Sequence, residues 1–248
     1  MTVNRTPWIF PHPDIEQPEC RLFCFPYAGG GASVFRQWQQ HMPPGVQVCA
    51  VQLPGRESRM AEVPCTDLES LVEQLYDALA SLLETPFALF GHSLGAKIAF
   101  ALAICAQKRQ RPVRHLFVAG SRAPHLQEPR PLHHLPDAEL IAALRRYAAT
   151  PEALLANREL MSLYMPLLRA DFTLDETYVY RDDEPLLCPL TVFGGEDDPE
   201  TGSEDLDAWQ QHCKSTFCCH MFPGGHFFIR SAQKQLLSRL IRELAGSV

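Results

Sequence analysis

No stretch of this sequence approaches the ~18–20 consecutive apolar residues that a membrane span needs. Its first twenty residues, MTVNRTPWIFPHPDIEQPEC, hold no apolar run long enough for a secretion signal, and prolines interrupt them. There is no C-x-x-C pair: the nine cysteines are an odd number, scattered through apolar runs. That pattern favours reduced thiols over a disulfide framework, so a cytoplasmic location is expected. An excess of positive charge is also missing. Twenty-two lysines and arginines face 29 acidic residues, for a net charge of −7, which argues against nonspecific nucleic-acid binding. Internal repeats and low-complexity segments are absent too. What is present is ordinary globular composition, 46% hydrophobic and 21% charged. The 248 residues suffice to bury a core without disulfides or metals.

After an irregular leader (residues 1–18), strand-like and helix-like runs alternate. Strands are expected at 21–25, 46–53, 87–90, 116–119, 190–193 and 217–222. A short helix suits 34–42. At 67–83 the residues Leu68, Leu71, Val72, Leu75, Leu79 and Leu82 recur at intervals of three and four, the mark of an amphipathic helix. Thr66 or Asp67 can cap it. Residues 94–105 are apolar almost all round, so that helix should be buried. A last amphipathic helix covers 232–244. Such alternation implies crossovers and a mainly parallel sheet. Residues 124–182 break it: a proline-rich loop leads into helical pieces at 137–147, 151–156 and 158–168, with no convincing strand. An insertion of that length predicts a helical lid, since one crossover ordinarily needs one helix. The core would then be 19–123 and 183–248.

The sequence Gly91-His92-Ser93-Leu94-Gly95 joins the strand at 87–90 to the helix at 94–105. This is G-x-S-x-G in the strand–turn–helix setting it requires: a tight turn lifts the serine hydroxyl above the sheet edge. It predicts an α/β-hydrolase fold with Ser93 as nucleophile. A serine hydroxyl needs a base, and that fold orders its parts Ser, Asp/Glu, His. His226, between two glycines and two phenylalanines after the last strand, is the expected base. The acid should follow the strand at 190–193, where Glu196, Asp197 and Asp198 offer themselves. Asp198 is preferred and Asp197 is second. Two backbone N–H donors must hold the oxyanion. Leu94 supplies one, and the loop Phe25-Pro-Tyr-Ala-Gly-Gly-Gly supplies the other, from Ala28 or alternatively Tyr27. The glycine run has neither the G-K-[ST] of a phosphate loop nor G-x-G-x-x-G spacing.

Several motifs resemble the type II thioesterases that accompany nonribosomal peptide and polyketide synthases. They are Phe25-Pro-Tyr-Ala-Gly-Gly, Gln52-Leu-Pro-Gly-Arg-Glu57, Gly91-His-Ser-Leu-Gly-Ala96, Leu135-Pro-Asp-Ala-Glu-Leu140, Leu168-Arg-Ala-Asp-Phe172, Gly194-Gly-Glu-Asp-Asp-Pro199 and Gly224-Gly-His-Phe227. Leu-Pro-Gly-Arg and Leu-Arg-Ala-Asp-Phe set them apart from general lipases and esterases. Ala148-Ala-Thr-Pro151 departs from a Gly-Gly-Thr-Pro stretch frequent in the family. The resemblance implies hydrolysis of aberrant or stalled acyl thioesters on the phosphopantetheine arm of acyl or peptidyl carrier proteins. No metal and no cofactor beyond the arm the substrate brings are expected; the net charge and the lack of long apolar runs speak against nucleic-acid and membrane partners, and a monomer is expected. Which assembly line is served, a siderophore line included, is not written in these residues.

Two rival readings share the fold: a medium-chain acyl-CoA or fatty-acid-synthase thioesterase or free-standing esterase, and a non-catalytic ligand-binding homologue. One further feature is a basic stretch. From Thr85 to Gln127 there is no acidic residue, while Lys108, Arg109, Arg111 and Arg114 cluster. They could attract an acidic carrier protein. The plainer reading is a solvated helix end, which basic side chains also favour.

Overall fold

The computed structural model describes residues 6–10, 15, 17–146, 152–181 and 184–246. Among these residues six strands form one sheet: β1 (Cys20–Phe25), β2 (Val46–Ala50), β3 (Phe87–His92), β4 (Val113–Ala119), β5 (Leu190–Gly195) and β6 (Phe217–Phe222). Their order is β2-β1-β3-β4-β5-β6, and every neighbouring pair is parallel. Helix α1 is Leu68–Leu79, α2 Leu94–Lys108, α3 Asp137–Arg146, α4 Glu152–Leu155 and α5 Arg158–Glu176. After β5 come α6 (Ser203–Asp207), α7 (Phe228–Ser231) and α8 (Gln233–Gly246).

Both faces of the sheet are covered, and the strands alternate between two cores. Phe23, Phe25, Cys49, Val51 and Leu89 face a cluster shared with α1 and α2. Leu22, Cys24, Val48, Ala50, Ala88 and Phe90 face the opposite cluster, closed by Phe35, Trp38, α7 and α8. Successive side chains of a strand point to opposite faces, so apolar residues at every position demand cover on both sides. In α1 the predicted stripe is the buried face, and Asp67, not Thr66, caps it: its Oδ1 accepts from the Ser70 N–H at 2.7 Å. All nine cysteines are among the described residues, and none is in a disulfide.

The expected short helix at 34–42 is instead two single 3₁₀ turns, Ala32–Phe35 and Trp38–His41. The first turn ends on Phe35 and the second begins on Trp38, and both side chains enter the same core, ring centroids 5.0 Å apart. The described residues of the leader hold no helix or strand, but some of them are packed on the core. Ile9 makes an antiparallel bridge to Val51, and Trp8 is buried beneath the Arg59 guanidinium, 4.0 Å from its ring centre. Between β4 and β5, α3, α4 and α5 pack around an apolar cluster of their own, with Leu140, Leu144, Met161, Met165 and Phe172 inside. Helix α5 runs through Pro166 to Glu176, eight residues beyond its expected end. Of the two other helical pieces, Tyr147 and Pro151 fall outside the described residues, as do Ala148 to Thr150.

The chain passes from β1 outward to β2 and returns to β3 on β1's other side. Strand order reverses there, so the loops after β1 and β3 lie side by side at the carboxyl edge, the place where such sheets bind ligands.

Candidate active site

Ser93 is the hinge of a sharp turn from β3 into α2. Its backbone is forced to φ 55°, ψ −121°, outside the regions a serine ordinarily adopts. The turn is held by the Ser93 N–H, which donates to the Ala119 carbonyl at 2.8 Å. Both motif glycines are required by close approach. A Cβ on Gly91 would lie 2.0 Å from the Gly95 carbonyl oxygen, and one on Gly95 would lie 2.1 Å from that of Phe25.

His226 reaches the same place from the loop after β6 and is 5% exposed. Its Nδ1 is 2.9 Å from Asp198 Oδ2. Asp198 also accepts from the Glu200 N–H at 2.9 Å and the Thr201 hydroxyl at 2.7 Å. Burial works against ionising this carboxyl. The hydrogen bond and charge of His226, with the Glu200 and Thr201 donors, outweigh it and hold the group below the usual aspartate range. Asp197 is exposed and ties its N–H to the Gly224 carbonyl. Of the three candidate carboxylates, the structure thus brings Asp198 to the histidine. Behind His226 lies His92, fully buried, ring centroids 5.2 Å apart. Burial first, then the neighbouring His226, pushes the His92 imidazole well below its ordinary value, so it stays neutral.

Two cavities meet at Ser93 and His226. The larger is about 340 Å³. One wall is apolar, from Leu144, Met161, Leu168 and Phe172 of α3 and α5, and its rim carries Ser33, Glu57 and Arg230. The smaller, about 40 Å³, is bordered by Leu94, Lys97, Arg122 and Glu128. Ala28 lines both. Among the described residues, no protein acceptor takes the N–H of either Ala28 or Leu94. Tyr27 is nearby, its ring edge-on to His92 and Phe227 and its hydroxyl bonded by Arg230.

Sequence reasoning did not assign Arg56, Lys97, Asp171 or Asp175 a place here. Arg56 and Asp171 form a buried ion pair 2.7 Å long, and Lys97 pairs with Asp175 at 3.0 Å. The signal was in hand, since Arg56 and Asp171 belong to the two motifs that distinguish the resemblance, but nothing local pairs residues so far apart. The basic stretch, by contrast, sits at the far end of α2. Lys108 closes α2, roughly 21 Å along the helix from Leu94 at 1.5 Å per residue. Arg109 there is ion-paired with Glu73 and lies over the Tyr76 ring. Cys218, His220 and Glu243 have ligand atoms within 4.8 Å of one another, but His220 already meets Glu243 at 3.2 Å, and Arg239 lies 3.6 Å from the same carboxylate.

A parallel sheet with a strained serine elbow, and an acid–histidine pair delivered after its last two strands, defines an α/β-hydrolase of the serine type. Comparison with known proteins narrows the class. The thioesterase domain family matches residues 20–244, and the chain belongs to that family. It is 43% identical over 242 residues to the linear gramicidin dehydrogenase LgrE of Brevibacillus parabrevis, covering 95% of this chain and 92% of that protein. Among solved structures it is similar to RedJ, a thioesterase from the prodiginine pathway of Streptomyces coelicolor. There the TM-score is 0.87 at 39% identity, over 94% of this chain and 95% of RedJ. It is also similar to BorB, a type II thioesterase from the borrelidin biosynthetic cluster, with TM-score 0.86, 34% identity and coverage of 96% and 97%. These likenesses bear out the resemblance read from the motifs: the chain is a hydrolase of thioesters, of the type II kind associated with peptide and polyketide synthases.

Proposed function

We propose that this enzyme removes aberrant or stalled acyl groups from the phosphopantetheine arm of acyl or peptidyl carrier proteins. The observation that carries the reading is the larger cavity: an apolar wall for an acyl chain, a polar rim for a pantetheine arm, and Ser93 with His226 where they join. Ser93 attacks the thioester carbonyl while His226 takes its proton, and Asp198 holds the imidazole and stabilises its cation. The oxyanion is held by the Ala28 and Leu94 N–H groups, Ala28 being preferred to Tyr27 because it borders both cavities. The tetrahedral adduct collapses by breaking the C–S bond, and His226 returns its proton to the departing thiol. Water then attacks the acyl-serine with His226 again as base, and His226 passes that proton to Ser93 Oγ as the C–O bond breaks and the acid leaves. The segment 124–182 is the lid, and its α3 and α5 form the acyl wall. A cytoplasmic location fits nine cysteines without a disulfide.

The test compares one acyl group on a carrier protein, on coenzyme A and on p-nitrophenol. The carrier-bound thioester is expected to show the highest kcat/KM. Strong preference for coenzyme A or the simple ester would give the activity to one of the rival enzymes.

A further inference from the structure

Helix α5 places two carboxylates one turn apart, and each reaches a segment that supplies an oxyanion donor. Asp171 is completely buried. Its Oδ2 accepts from the Gly29 N–H at 2.7 Å and from Arg56 at 2.8 Å, and its Oδ1 accepts from Arg56 at 2.7 Å. Arg56 also donates to the Gly30 carbonyl at 3.3 Å and the Pro54 carbonyl at 3.2 Å. The loop after β1, the loop after β2 and α5 are therefore joined at one carboxylate. Four residues on, Asp175 lies 3.0 Å from Lys97 Nζ, and Lys97 donates to its carbonyl at 2.8 Å. Lys97 belongs to the first turn of α2, the turn that Leu94 begins.

Packing reinforces these bonds. Gly29 has φ +75°, a conformation that favours glycine, and Leu168 of α5 is so close that a Cβ there would meet its Cδ2 at 2.7 Å. Ala28 packs against both the main core and the cluster built by the lid helices. A loop rich in glycine does not hold an N–H in one direction unaided. The buried, bidentate, charge-assisted bonds of Asp171 supply the missing constraint.

We propose that Asp171 and Asp175 are positioning residues: through them the docking of the lid helix α5 sets the geometry of the oxyanion hole. The hole is then complete only when α5 is seated, so the lid that shapes the acyl pocket also governs the chemistry. This rests on the assignment of Ala28 and Leu94 made above.

The test uses Asp171→Asn, which keeps an acceptor for Gly29 but loses the charge facing Arg56, and Asp175→Asn, whose side chain is 21% exposed. Each is checked for folding by circular dichroism. Then kcat and KM are measured, with affinities for two ligands: a trifluoromethyl ketone, which mimics the tetrahedral adduct, and a thioether of the same chain lacking the carbonyl. The expected result for Asp171→Asn is a fall of about 10- to 100-fold in kcat. Ketone affinity should fall in parallel, with KM and thioether affinity within about threefold of wild type, as for an interaction made only in the transition state. Asp175→Asn should shift the same quantities by less. A folded variant with a lowered melting temperature but wild-type kcat and ketone affinity overturns the proposal. If Asp171→Asn does not fold, Asp175→Asn decides: unchanged ketone affinity there refutes the coupling. Wild-type enzyme in the same assay checks the function separately. If it prefers another ester, the variant readings are taken on that ester and the positioning claim stands or falls on its own.

Discussion

Asp197 and Asp198 are adjacent, chemically identical and both follow β5, yet they face different surroundings. Asp198 gives its carboxylate to His226, Thr201 and the Glu200 N–H, while Asp197 is exposed. The variant Asp198→Asn should lower kcat by about 10³- to 10⁴-fold, because the amide cannot stabilise the imidazolium and favours the wrong tautomer. Asp197→Asn should stay within about twofold of wild type on the same acyl substrate, since it touches nothing that changes charge during the reaction. Steady-state kinetics of the pair checks both. A large loss in Asp197→Asn would move the acid one residue back.

Elements fail where their ends and turns fail. Asp67→Ala removes the side-chain acceptor for the Ser70 N–H at the start of α1 and should cost about 1 kcal/mol, read from urea midpoints. Gly95→Ala is of another order. Its methyl would press on the Phe25 backbone carbonyl at 2.1 Å, where α2 crosses β1, and no flexible side chain is there to yield. Little folded protein is expected, and its melting temperature should lie well below that of Asp67→Ala. Helix α5 shows a different lesson. The sequence predicts a helical piece over 158–168, but the helix runs on through Pro166 to Glu176. Proline forfeits one backbone bond, but the buried Leu167, Ala170, Asp171 and Leu174 keep the helix docked to Glu176. Tertiary contact outweighs the local signal, and it is this extension that brings Asp171 and Asp175 to the site.

Across the whole molecule, the sheet's second face carries a titration that the reaction does not use. His115 on β4 stacks on Phe117, ring centroids 4.0 Å apart, and its Nε2 lies 2.8 Å from Thr191 Oγ1. Burial pushes its imidazole down to about 4 from an ordinary 6.5. Between those values the unfolded chain binds a proton that the folded chain refuses, so stability is full above pH 6.5 and declines as pH falls toward 4. At ~1.4 kcal/mol per pH unit the loss approaches about 3 kcal/mol. His115→Gln, which keeps a partner for Thr191, should flatten the fall in unfolding free energy between pH 6.5 and 4. Equal slopes in wild type and variant would assign the acid sensitivity elsewhere.

The chemistry-bearing residues were legible in the sequence because each sits in a local pattern with its own physical reason. Gly91 and Gly95 bracket Ser93, since only glycine fits where the turn meets neighbouring backbone. His226 and Asp198 follow apolar runs that can only be buried strands, and the alternation of strands with helices imposes a parallel sheet. Residues 34–42 were misread because a nine-residue apolar pattern fits a helix or two turns equally well, and only the positions of Phe90 and the neighbouring strands choose. The choice between Asp197 and Asp198 also fell to tertiary structure, since it depends on the direction of one loop relative to His226. So did the partnership of Arg56 with Asp171: 115 residues separate them, and no local spacing encodes that contact. Local pattern determines which residues can turn, cap, span or attack. Which of them meet is decided by packing two cores and the helices between β4 and β5 against one sheet.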